Sequence, residues 1–189
     1  MAFQVTQNPM MNQGGEQKKK SNFRINRVYG SDGQIDVSVW NSDKGGCYTI
    51  LSMKAAIGKD PTTGSNVYEQ KMSGELPSIC MNSEILFALL EAVKDADPAT
   101  LNASVDTKRG AKMSIVGQGT SIKITVDNTK TGSRTITLDA VPVGTKNIHA
   151  NWELLKKFLS IGLSKSIHNK LDPEEFAMAV ASDEENSDM

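Results

Sequence analysis

Apolar and polar residues alternate along most of this chain, and twice the alternation gives way to a helical spacing. Residues 23–29 read as a first strand, ending at the Gly30-Ser31-Asp32-Gly33 turn. Ile35, Val37 and Val39 then alternate with Asp36, Ser38 and Trp40, the period of two that a half-buried strand requires. After a turn cluster at 41–46, a third strand is expected over 47–57 and, past a polar loop at 59–66, a fourth over 67–72. Beyond Gly74 and Pro77 the spacing changes. Ile85, Leu86, Leu89, Leu90 and Val93 form one helical stripe, with Asn82 or Ser83 as the cap and Pro98 past the end.

The pattern then repeats. Strands are expected over 103–106, 112–116, 122–126 and 134–138, with a hairpin turn at 128–133. A second helix follows over 152–168, capped by Asn151 and lined by Leu155, Leu159 and Leu163. In each half a hydrophobe-Pro step, Leu76-Pro77 or Val141-Pro142, leads toward an Asn-headed helix. The expected fold class is α+β: two repeated units of antiparallel strands followed by a helix, with halves at 23–97 and 98–170. An OB-type barrel is the alternative, and the long helix closing each half counts against it. Sheets of this size expose edges, so a homo-oligomer, dimer or tetramer, is expected.

Charge changes this picture. Residues 1–170 hold all 21 Lys and Arg against 15 of the 22 acids, a net +6. Residues 171–189 hold the other seven acids and no Lys or Arg, a net −7. A basic body suits a polyanion, and an acidic tail suits protein partners. Residues 1–22 lack periodicity and end in Lys18, Lys19 and Lys20, which reads as a disordered basic arm. Cys47 and Cys80 form no CxxC and lie far in sequence from His149 and His168, so two thiols in a reducing compartment are expected, with no metal and no cofactor. There is no long apolar span and no secretory pattern, which predicts a cytoplasmic protein.

The repeated strand-and-helix units, joined through Leu76-Pro77 to Asn82, resemble the Whirly family and the related positive-cofactor-four coactivators over about residues 23–168. That resemblance implies single-stranded DNA binding by dimers or tetramers. The lysine-rich signature of plant Whirly proteins is absent, so the binding residues are read from the strands instead. The tail resembles those of bacterial and phage single-strand-binding proteins, which implies recruitment of replication, recombination or repair proteins in a bacterial or phage-infected cell.

Coating a single strand without sequence preference needs cations along the phosphates and flat rings for the bases. Arg24, Arg27, Lys54, Lys71, Lys112, Lys123 and Arg134 lie on expected strands or at their ends, with Tyr29, Trp40 and Tyr48 among them. Trp40 shares the polar phase of its strand with Asp36 and Ser38, and Tyr68 shares that of Met72, which points to the core. In the tail, Phe176 with Asp183, Glu184, Glu185, Asp188 and Met189 forms the partner-binding candidate. Gly117-Gln118-Gly119 lacks phosphate-loop spacing, and GxSxG and HExxH are absent, so an enzyme is not expected. RNA is a second ligand of the same chemistry. The reading from another class is a β-rich assembly or inhibitor protein that binds protein alone.

Overall fold

Alternation in the first half builds a five-stranded antiparallel sheet. In the computed structural model, which describes residues 22–42, 46–71, 73–141 and 150–168, its strands are β1 (Asn22–Tyr29), β2 (Gly33–Asn41), β3 (Cys47–Lys59), β4 (Asn66–Tyr68) and β5 (Ser78–Met81). β1, β2 and β3 pair in sequence order; β5 and β4 share the far edge of β3, along Thr49–Ser52 and Ala56–Lys59. One phase is sunk in the core: Ile35, Val37 and Val39 of β2, Leu51 and Met53 of β3, Ile79 and Met81 of β5. Each such side chain contributes roughly 1.5–3 kcal/mol by leaving water.

The second sheet is a meander of β6 (Asn102–Asp106), β7 (Ala111–Gly117), β8 (Ser121–Asn128) and β9 (Gly132–Asp139). Met113, Ile115, Ile122, Ile124, Val126, Ile136 and Leu138 form its buried phase. Helices α1 (Ser83–Val93) and α2 (Asn151–His168) complete the α+β fold. No described helix is long and apolar enough to cross a membrane.

Each helix packs beyond its own half. α1 lies on β6 as well as β3 and β5, and α2 crosses β1, β2 and β3 of the first sheet. Gly162 permits that crossing, because a Cβ there would stand 2.7 Å from Thr49 Oγ1. Ser166 and Thr49 hydroxyls meet nearby at 3.4 Å. The result is one apolar cluster shared by both sheets and both helices. The β1–β2 turn also clasps β9: Ser31 N–H donates to Thr137 O at 3.1 Å, and Thr137 N–H to Asp32 Oδ1 at 3.0 Å.

Three expectations change. The fourth strand, expected over 67–72, ends at Tyr68. The step after Pro77, read as a connector, is strand β5; its four residues are too few to show a period, yet pairing with β3 buries Ile79 and Met81 completely. Asn82 does cap α1, accepting Ile85 N–H at 2.9 Å, but Asn151 is the first residue of α2, whose Leu154 N–H bonds the Ala150 carbonyl.

Candidate nucleic-acid interface

The polar phase of the first sheet faces away from the shared core. On β2 it comprises Gln34, Asp36, Ser38 and Trp40; on β3, Tyr48, Ile50, Ser52 and Lys54. Register sets them side by side: Trp40 opposite Tyr48, Asp36 opposite Ser52, Gln34 opposite Lys54. Arg24 and Arg27, three residues apart, would lie on opposite faces of a regular strand. A register shift between Arg24 and Asn26 absorbs one residue, so Arg24 pairs with Ser38, Arg27 with Asp36 and Tyr29 with Gln34. All three reach the outer face together.

Asp36 organises the centre of that face. Its carboxylate lies 3.5 Å from Arg24 Nη2 and 3.0 Å from Arg27 Nε, and Gln34 Nε2 donates to it at 3.4 Å. The Arg27 Nε–H is not aligned as a hydrogen bond, so this contact is an ion pair only. Arg27 is held charged, above its usual range, by the Tyr29 hydroxyl, against the cost of burial, with help from Asp36. Asp36 is 12% exposed at its side chain and Arg24 55%. The acid is therefore sunk, and its arginines stand over it toward solvent.

Aromatic pairs flank this centre. Trp40 and Tyr48 stack with centroids 5.7 Å apart at 28°. A Cβ on Gly46 would press within 2.7 Å of the Tyr48 ring, so the glycine lets that ring lie flat. Arg109, on the β6–β7 turn, sits 5.7 Å from the Tyr48 centroid. Tyr29 and Tyr68 meet at 5.8 Å and 41°. From Trp40 to Gln34, the neighbour of Tyr29, is six steps of strand, roughly 20 Å.

Beyond the second pair lies a carboxylate cluster. Glu69 accepts Ala55 N–H at 2.9 Å and faces Arg134 Nη1 at 3.1 Å and Lys71 Nζ at 3.4 Å. Burial pushes its carboxyl up, but the Ala55 N–H, Arg134 and Lys71 outweigh burial and hold it below the usual carboxylate range. Arg134 shares the inward phase of Ile136 and Leu138, so its 23%-exposed side chain ties the second sheet to the first. Cys80, on the outer phase of β5 opposite Ile50, has its thiol pushed up by burial against the opposing charge of Arg109.

The structure thus gathers Arg24, Arg27, Tyr29, Trp40, Tyr48 and Lys54 on one face and sets Lys71 and Arg134 at Glu69 near its edge. Lys112 and Lys123 belong elsewhere, to the outer phase of the second sheet, where Lys112 is cross-paired with Asp127 and lies 4.0 Å from Asp106. Phe176, Asp183, Glu184, Glu185, Asp188 and Met189 lie outside the described residues, as do Lys18, Lys19 and Lys20. Sequence reasoning missed Arg109, Glu69 and the outward placement of Tyr68. Only Arg109 left a signal, the Lys108-Arg109-Gly110 turn between two alternating runs. Comparison with protein-family models, curated proteins and solved structures finds no match, so the site rests on its own geometry.

Proposed function

We propose that this chain binds single-stranded nucleic acid, most simply DNA, along the outer face of the first sheet and without sequence preference. The observation that carries the reading is the shared face: two aromatic pairs about 20 Å apart with two arginines between them. Rings offered by a sheet surface suit unpaired bases, which a duplex keeps stacked, and base stacking is worth about 1–3 kcal/mol per base. At about 3.4 Å per stacked nucleotide, a 20 Å strip takes up to roughly six nucleotides. The role is binding and protection of strands in replication, recombination or repair, not catalysis. The acidic tail then recruits protein partners, and pairing of exposed sheet edges makes a homo-oligomer.

A Whirly-like arrangement is the fold-family proposal, supported by strands before a helix in each half. The OB barrel is less favoured because the second sheet is a simple four-stranded meander.

The test is fluorescence-anisotropy titration of a labelled single strand across a salt series, with duplex as competitor and strands of increasing length. Expected are binding that weakens with salt, resists duplex, and gains little beyond roughly six nucleotides per site. Absence of binding at low salt would overturn the reading and favour a protein-binding role. RNA of equal length is expected to compete, since rings that stack on bases and cations that follow phosphates serve either sugar.

A further inference from the structure

The helix layer carries an apolar groove that neither sheet uses. It runs between α1 and α2, has a volume of about 630 Å³, and has an apolar floor of Phe87, Leu90, Ile161 and Leu163. Its charged residues are Lys94, Lys156 and Lys157 against Glu91 and Glu153. Phe87 is 56% exposed and Ile161 43%, while Leu86, Leu89, Leu155 and Leu159 on the neighbouring phase are buried. Lys94 and Lys157 form no ion pair among the described residues, whereas Lys156 is paired with Glu153 at 2.9 Å.

We infer that this groove receives the chain's own C-terminal segment, with Phe176 seated against Ile161 and Leu163. The proposal does not depend on nucleic-acid binding. Three observations carry it. First, chemistry: Phe176, Met178 and Val180 form an apolar run, preceded by Asp172, Glu174 and Glu175 and followed by Asp183, Glu184 and Glu185. An apolar floor whose rim carries three lysines against two glutamates, a net +1 with Glu153 already paired to Lys156, complements such a segment. Second, reach: α2 ends at His168. The eight residues to Phe176 span up to about 27 Å, and the way back along the helix to Ile161 is only about 10 Å. Third, size: the groove falls within the ~300–1,000 Å³ of a ligand-sized pocket. Four partly exposed side chains fall well short of the roughly 800 Å² per partner that a standard subunit interface buries. Because α2 covers the core phase of the first sheet, the docked segment is held on the side away from the Trp40–Tyr48 stack. A protein recruited through Phe176 must then draw it out of the groove.

The experiment is methyl NMR of the full chain, wild type against Phe176→Asp, repeated on dilution. Expected are displaced Ile161, Leu90 and Leu163 methyl signals in Phe176→Asp, an unmoved Ile50 methyl on the opposite face, and wild-type shifts independent of concentration. In the reciprocal variant, Ile161→Asp, the Phe176 ring signals move as well. Unchanged groove methyls in Phe176→Asp would overturn the proposal. So would wild-type shifts that follow concentration together with a doubled mass in light scattering, which would make a second copy the occupant.

Discussion

The outer faces of the two sheets are built on the same alternation and end up chemically opposite. On the first, Arg24, Arg27 and Lys54 accompany Tyr29, Trp40 and Tyr48, and the acid among them, Asp36, is sunk beneath its arginines. On the second, the outward residues of β8 and β9 are Ser121, Lys123, Thr125 and Asp127, then Ser133, Thr135, Thr137 and Asp139, with no ring among them. Thr125 and Thr135 hydroxyls bond each other at 2.8 Å. Lys112 and Lys123 share that face with Asp106, Asp127 and Asp139, and Lys112 lies 4.0 Å from Asp106. A repeated plan of strands and helix therefore does not imply a repeated function. The proposed binding follows what each outward phase carries. Among the described residues the first sheet sets rings beside three cations and one acid, Asp36, whereas the second sets Lys112 and Lys123 beside three acids and no ring.

Mutations sharpen that contrast. The largest effect is expected from Trp40→Ala, which removes one member of the better-stacked pair. It should lose about 1–3 kcal/mol of strand affinity, roughly 5- to 160-fold, in an anisotropy titration. Arg109→Ala comes next: a severalfold loss, with the slope of log affinity against log salt shallower by about 0.7, the change for one phosphate contact. The double variant Lys112→Ala/Lys123→Ala on the second sheet should change affinity less than either. A larger loss there than for Trp40→Ala would break the comparison.

A stability measurement probes the join between the sheets. Glu69→Ala would leave Arg134 without its carboxylate and is expected to cost about 1–3 kcal/mol in urea unfolding. The Glu69 carboxyl is depressed below its ordinary 4.5, so its contribution is full above that value. It is lost as pH falls through the lower folded value. Wild type should therefore lose its advantage over Glu69→Gln as the buffer is taken from above 4.5 down through the lower folded value.

Much of the fold was legible because alternation and capping are local. Ile35 to Trp40, Ile122 to Val126 and Asn82 announce their roles within a few residues. Strand β5 was not, since its identity depends on the distant partner Thr49–Ser52. The site was legible in residue type but not in placement. Nothing between Phe23 and Tyr29 marks the residue that the β1 bulge absorbs, yet that bulge decides whether Arg24 and Arg27 act together. Arg109 meets Tyr48 through a turn of the other sheet. Arg134 was read as a phosphate contact on a strand; its inward phase was visible in the alternation with Ile136 and Leu138, but its partner Glu69 was not.

The chain has two tryptophans, one on the proposed binding face and one, Trp152, fully buried in α2. Intrinsic tryptophan fluorescence therefore tests the central claim most directly, with a single strand titrated into wild type and into Trp40→Phe. Quenching that saturates together with anisotropy in wild type, and is largely absent in Trp40→Phe, is the expected result. Saturating anisotropy with equal quenching in both proteins, or with none in either, would contradict the account and place the strand away from the Trp40–Tyr48 stack.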